Sequence, residues 1–305
     1  MSIFDFQLEK NRANFEPLTP VSFLKRAAQV VPDHVAIIHG KRRYTYRTFL
    51  DRSCRLANAL SARNIVAGDC VAIMAANTPE MLEAHNAVPM IGAVLNSLNI
   101  RLDPQTIAFV LEHGEAKVLL TDCAFSPVVK DALALIDREI LVIDIDDSES
   151  EGGERLGEMT YEEFIESVSG EFSSEQPTDE WQALSLLYTS GTTGNPKGCV
   201  YHHRGAYLNA IGNMTTMGLN RNSVYLWTLP MFHCDGWTFT WAVTAAMGTH
   251  VCLRAVEPKA VFDSISENSV THMCGAPIVM NLLANAPKEM KTPFSQTVEI
   301  ATGGA

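Results

Sequence analysis

The residues best suited to chemistry fall in one string, Tyr188-Thr-Ser-Gly-Thr-Thr-Gly-Asn-Pro-Lys-Gly198. Four hydroxyls (Thr189, Ser190, Thr192, Thr193), three glycines (Gly191, Gly194, Gly198) and Lys197 lie between two apolar runs. These residue types suit a polyphosphate: glycines let successive N–H groups converge on oxygens, hydroxyls donate further bonds, and an ammonium neutralises charge. The string is not a Walker A loop, because Pro196 stands five positions after Gly191 where that motif has glycine. Apolar runs at Leu184 to Tyr188 and from Gly198 to Tyr201 read as strands, so the loop is expected at a hairpin tip, without a helix dipole. A linker with no ligand has no reason to sit between buried strands or to end in Pro-Lys-Gly.

Further downstream, His233, Cys234 and Asp235 have the donor types of a metal site, but three consecutive residues in regular structure cannot aim at one ion. Asp235 beside His233 is expected to favour the imidazolium and to add negative charge to its surroundings. The His202-His203 pair is expected to cap or orient a following helix. Seven cysteines, odd in number and never in Cys-x-x-Cys, read as reduced thiols of a cytosolic interior, and none sits in a recognisably electropositive setting.

The elements that must position these residues alternate. Leu50, Cys54, Ala57 and Leu60 predict a helix from Arg47 to Arg63. Strands are expected at Cys70 to Met74, Ala93 to Leu98 and Lys117 to Thr121. Helices are expected after Asn77-Thr78-Pro79, Asp103-Pro104 and Ser126-Pro127. Thr160 to Glu163 fits a capping box. After Trp181 a second series runs through strands at Val224–Trp227, His250–Leu253, Thr271–Cys274 and Thr297–Ala301. Its helices start near Arg204 and span Trp237–Met247, Pro258–Asn268 and Pro277–Asn285. The fold class is α/β with mainly parallel pairing: a first block over 1–143, an acidic connector with a short helix over 144–181, and a second block over 182–305 carrying the phosphate loop. The Thr302-Gly303-Gly304-Ala305 end, after an expected buried strand, reads as an interrupted chain.

Composition narrows the class. The chain has 305 residues, 47% of them hydrophobic and 19% charged, which excludes disorder and a small disulfide scaffold. No apolar run is long enough to span a bilayer, and acids precede any signal-like core, so a soluble, cytoplasmic protein is expected. The net charge of −12 is concentrated: Asp144 to Glu180 holds fourteen acids and one base, leaving the rest at +1. That stretch reads as a solvated surface excursion, with an acidic docking segment as the alternative. No basic footprint for nucleic acid is present.

The phosphate string resembles the signature of the adenylate-forming superfamily of acyl-CoA synthetases, beetle luciferases and peptide-synthetase adenylation domains. Tyr44-Thr45-Tyr46, Gly68-Asp69, Asn77-Thr78-Pro79-Glu80, Leu229 to His233 with Gly236-Trp237, and Gly303-Gly304-Ala305 occur in that family's order. Tyr201 to Tyr207, Phe232 to Trp237 and Thr271 to Pro277 resemble enzymes acting on short, medium or methylthio-substituted acids, including methylmercaptopropionate-CoA ligases and plant peroxisomal relatives. The resemblance implies ATP, Mg²⁺ and coenzyme A, and formation of acyl-AMP followed by acyl-CoA. It places Thr189, Ser190, Gly191, Thr192, Thr193, Gly194 and Lys197 on the β- and γ-phosphates, with Thr189 near Mg²⁺. It sets His233 beside the reacting carboxylate, Trp237 on the acyl wall, and Gly303, Gly304 and Ala305 along adenine and acyl group. Asp235 stands where relatives often carry Asn. The family's magnesium-binding glutamate, ribose-binding aspartate, hinge and lysine-bearing C-terminal domain are not among these residues, so the expectation is the N-terminal portion of a ligase unable to complete the reaction alone.

Other readings are a nucleotide- or partner-binding pseudoenzyme and, among enzymes, an amino-acid adenylation domain or a luciferase-like oxidase. The acid and the oligomeric state are not fixed by sequence; a homodimer is compatible, and a peroxisomal address at a C-terminus lying further on is equally compatible.

Overall fold

The computed structural model describes residues 2–11, 13–172, 177–189 and 195–303. Strand alternation explains its layering. Val71 and Ile73 of β3 (Cys70–Met74) point into one core, while Cys70, Ala72 and Met74 point into another. Likewise Tyr225 and Leu226 of β10 (Val224–Leu226) serve opposite cores. A sheet apolar on both faces must be covered on both.

The strands form two sheets. The first runs β7-β6-β5-β3-β4-β8-β9, with β4 Val94–Ser97, β5 Ala116–Asp122, β6 Leu141–Ile145, β7 Met159–Thr160, β8 Ala183–Thr189 and β9 Lys197–His202. The second runs β13-β12-β10-β11-β1-β2, with β1 Val35–His39, β2 Arg42–Thr45, β11 Thr249–Val251, β12 His272–Gly275 and β13 Glu299–Thr302. All pairings are parallel except the hairpins β1–β2 and β8–β9. The central core takes residues from both sheets and from α1 (Val21–Val30), α2 (Tyr46–Ala62) and α3 (Pro79–Met90). Every residue of α3 is buried. Helices α4 (Pro104–His113) and α5 (Ser126–Leu133) cover the outer face of the first sheet.

The sheets do not follow the sequential blocks 1–143 and 182–305. The β1–β2 hairpin crosses to the second sheet because β1 pairs with β11, and the β8–β9 hairpin joins the first because β8 pairs with β4. The terminal strand is not buried either: β13 is an edge strand, largely exposed.

The acidic stretch is also more than a solvated excursion. β6 carries the chain inward, so Asp144 is fully buried and accepts from the amides of Leu156 and Gly157. Asp147 is bonded by His39, Arg42 and Arg254 at 2.8, 2.9 and 2.6 Å, and Arg254 also reaches Asp122. Burial opposes ionisation of Asp147, but hydrogen bonds from His39, the Glu149 amide and Arg254 hold its carboxyl well below the usual range. Arg42 reaches Glu80 of α3 as well, so one network ties β2, α3 and the segment after β6. Glu162 pairs with Arg52, Asp146 with Arg155 and Glu180 with Arg204. The expected capping box is present at Thr160 and Glu163, at the start of α6 (Tyr161–Glu166).

Candidate active site

The β8–β9 hairpin carries the phosphate string. Six register pairs run from Ala183–His202 to Thr189–Lys197, so Thr189 and Lys197 close the ladder at the base of the loop. Ser190, Gly191, Thr192, Thr193 and Gly194 lie outside the described residues, as do Gly304 and Ala305. Below the tip, the Tyr188 hydroxyl bonds His113 Nδ1 at 2.7 Å, pinning the hairpin to α4. Burial pushes the Tyr188 phenol up to about 12, so it remains a neutral strut. Lys197 is exposed and makes no ion pair among the described residues. A threonine hydroxyl and an exposed ammonium flanking a Gly/Thr sequence fit a polyphosphate. No group of three metal-ligating side chains occurs among the described residues.

A clamp sets the segment leading to His233. Thr78 is the N-cap of α3 without a side-chain cap bond. Asn77 instead donates to the carbonyls of Trp227 and Leu229 and accepts from the Met231 amide. This buried amide crosses between the sheets and fixes where the chain turns outward at His233.

Past His233 the chain enters a left-handed turn. Cys234, Asp235, Gly236, Trp237 and Thr238 have φ of 50, 50, 61, 54 and 63°. Non-glycine residues there cost roughly 1–2 kcal/mol each, so the surroundings must hold them. Asp235 is fully buried, accepts from Ser185 Oγ at 3.1 Å and faces His85 Nε2 at 3.3 Å. The other ring nitrogen, Nδ1, lies 2.7 Å from the Met81 carbonyl and therefore carries a proton. Thr240 Oγ1 donates to the Asp235 carbonyl. Asn209 and Asn213, on successive turns of α7 (His203–Thr216), donate to Thr238 Oγ1, and Asn213 also donates to the Trp237 carbonyl. The expected helix from Trp237 therefore begins only at Phe239.

This geometry corrects the reading of Asp235: it is aimed inward, away from the cavities. The His233 imidazole titrates above its ordinary value because of its contact with Cys234, 4.0 Å away, against the burial that lowers it. His202 behaves as expected, capping α7 by accepting from the Gly205 amide at 2.8 Å.

Two cavities meet here. One, of 560 Å³, is lined by Thr189, Tyr188, Asn99 and His233 among others. The other, of 490 Å³, is lined by Trp237, Asn209, Asn213 and Ala206 among others. Tyr201 and Cys234 border both. Gly303 meets the Trp237 ring so closely that a Cβ there would stand 3.3 Å from it. The structure thus brings Thr189, His233 and Trp237 around adjoining cavities, with Gly303 against the Trp237 ring, while Lys197 stands on the hairpin opposite Thr189. Sequence reasoning missed Asn77, Tyr201, Asn209 and Asn213; the i, i+4 spacing of the two α7 asparagines was a signal for a shared polar face.

Known proteins share both the sequence pattern and this fold. A peroxisomal acetate/butyrate–CoA ligase of Arabidopsis thaliana is 45% identical over 98% of this chain and 55% of its own length. An acetate–CoA ligase of Humulus lupulus is 44% identical over 98% and 55%. The chain spans about half the length of these curated relatives. Among solved structures, a fatty acyl CoA synthetase of Mycobacterium tuberculosis superposes with a TM-score of 0.82 at 23% identity, covering 94% of this chain and 55% of that one. The Bacillus subtilis O-succinylbenzoate coenzyme A synthetase, solved with AMP, gives 0.74 at 25% identity, covering 92% and 67%. The family described as AMP-binding enzyme matches residues 24–305, so the chain belongs to the AMP-binding enzyme family.

Proposed function

We propose that this chain contributes the ATP- and acid-binding portion of a ligase that converts a short- or medium-chain carboxylic acid, plain or methylthio-substituted, to acyl-AMP and then to acyl-CoA. The observation that carries the reading is the joint placement of Thr189 and His233 on one cavity, with Lys197 opposite Thr189 on the hairpin.

In the first step a carboxylate oxygen attacks the α-phosphorus of ATP, and pyrophosphate leaves with the electrons of the broken P–O bond. Two anions must meet, so cations and oriented donors supply most of the barrier reduction. Lys197 and the hydroxyls of Thr189, Ser190, Thr192 and Thr193, with the amides around Gly191 and Gly194, would hold the β- and γ-phosphates. Mg²⁺ would sit mainly on phosphate oxygens and water with Thr189 nearby, in keeping with its preference for few protein ligands. His233, whose protonation its surroundings favour, is suited to the incoming carboxylate. Trp237 would limit acyl length, and Gly303, Gly304 and Ala305 would run along nucleotide and acyl group. In the second step the thiol of coenzyme A attacks the acyl carbon and AMP leaves.

The acid class is supported by the names of the acetate and butyrate ligases, and the 490 Å³ cavity against Trp237 has room for such an acyl group. Seven unbridged cysteines accord with a reducing compartment, cytoplasmic or, as for the Arabidopsis thaliana acetate/butyrate–CoA ligase, peroxisomal. No helix among the described residues is long and apolar enough to cross a membrane.

Calorimetric titration with Mg·ATP, followed by acetate, butyrate, octanoate and valine, tests the reading. Nucleotide binding and a preference for the short acids are expected. Valine in first place would overturn the acid assignment, and no heat at millimolar nucleotide would overturn the ATP site.

A further inference from the structure

Among the seven cysteines one has a distinct setting. Cys54, Cys70, Cys123, Cys252 and Cys274 are buried, and burial pushes their thiols up. Cys199 is exposed on β9. Cys234 is half-buried, opens the left-handed turn and borders both cavities. Its Sγ stands 4.0 Å from His233 Nδ1, and the Tyr201 hydroxyl, from the neighbouring strand, is its other polar partner. The buried Asp235 carboxylate is the opposing charge nearby.

We propose that Cys234 is a covalent modification site: a thiol made nucleophilic by His233 that captures small electrophiles carrying an activated carbon–carbon double bond. The thiol proton passes to His233, the sulfur electron pair forms a bond to the β-carbon, and the π electrons shift to the α-carbon. That carbon then takes the proton back from the imidazolium. No atom is lost and no oxidant is needed. Because Cys234 stands where the two cavities meet, an adduct would occupy both entrances.

The electrostatics run in the same direction. The hydrogen bond to His233 holds the thiol below its ordinary value; burial works against this, the positive imidazole and Tyr201 reinforce it, and Asp235 opposes it. The thiol therefore ionises more readily than that of an ordinary cysteine, with the imidazole beside it to take the proton. The turn fixes where the Cys234 side chain leaves the backbone, since the adjacent Asp235 is held by Ser185 and Thr240.

The test uses acrylamide, a small neutral Michael acceptor, on the folded chain at pH 7, with peptide mass spectrometry reading each cysteine against time. Cys199, exposed on the adjacent strand, is the internal comparator. Cys234 is expected to react at least tenfold faster than Cys199, and His233→Ala to slow Cys234 at least fivefold with Cys199 unchanged. In urea the two are expected to react alike. Equal rates in the folded chain, or a Cys234 rate indifferent to His233→Ala, would overturn the proposal. The readout does not depend on ATP or acid binding, so its failure is distinct from failure of the ligase reading.

Discussion

Thr189 and Lys197 face each other as the last register pair of the β8–β9 hairpin. The pair fixes where the loop leaves the sheet, so a hydroxyl and an ammonium flank whatever binds at its tip. Because β8 also pairs with β4, and Tyr188 bonds His113 on α4, the pair is anchored to the most buried part of the first sheet. If the loop holds phosphates as proposed, such an anchor serves it, since donors stabilise charge best when already in place.

Trp237 walls the smaller cavity and packs against Gly303. Truncation to alanine is expected to admit longer chains, shifting the affinity ratio of octanoate to butyrate by about tenfold, the scale that a few methylenes in an apolar pocket can give. Competition binding with the two acids in the presence of Mg·ATP reads this out, and an unchanged ratio would place the acyl group elsewhere.

Gly236 has φ +61°, and a Cβ there would approach the Trp227 ring to 2.5 Å. Gly236→Ala adds left-handed strain and overpacking, so a loss of about 2–4 kcal/mol is expected in urea unfolding. Gly212→Ala, where a Cβ meets open space inside α7, is the control and should be neutral or stabilising.

Asp147 accepts from three cationic or protonatable side chains. Asp147→Ala removes the partner of His39 Nε2 and one of the two carboxylates that meet Arg42 and Arg254, which keep Glu80 and Asp122, and is expected to cost about 3 kcal/mol. The exposed Arg47–Asp33 pair is the contrast: Arg47→Ala should change stability by less than about 1 kcal/mol. Similar losses for both variants would contradict the network's weight in the fold.

Acid should destabilise the protein through its buried histidines. His250 accepts from the Trp227 indole at Nδ1, and its Nε2 meets the Thr244 hydroxyl, which in turn donates to the Thr240 carbonyl. The neutral ring is satisfied, and a second proton would oppose the indole N–H. Burial lowers its value to about 3 and that of His203 to about 4. The unfolded chain therefore takes up these protons first as pH falls below about 6.5, and each histidine removes about 1 kcal/mol per pH unit until its folded value is reached. Glu83 runs the opposite way, because burial raises it to about 7 and the folded state binds its proton first. The expected net loss is about 1 kcal/mol per unit between about pH 6.5 and 4.5, read from urea midpoints. A flat profile would refute the histidine assignment.

Much of this was legible in the residues. The hairpin was readable because Gly198 to Tyr201 continues as an apolar run where a P-loop would start a helix, and the capping box at Thr160 because its chemistry is local. The sheet assignment was not, since nothing local tells β1 that its partner is β11, more than two hundred residues on. The left-handed turn was hidden for the same reason: Cys234, Trp237 and Thr238 favour no such conformation, and the turn is held largely by Ser185, His85, Asn209 and Asn213, brought in from three other elements. Asp235 was misread as facing its neighbour His233 because sequence adjacency says nothing of direction in a turn of that hand.

The central claim, that the hairpin holds the β- and γ-phosphates, is tested most directly by comparing Mg·ATP with AMP on the parent chain and on Lys197→Ala. AMP lacks the two phosphates that Lys197 is assigned to bind. The parent is expected to bind Mg·ATP more tightly than AMP, and Lys197→Ala to weaken Mg·ATP at least tenfold, or about 1.4 kcal/mol, with AMP unchanged. An ATP-to-AMP affinity ratio identical in the two proteins would contradict the account.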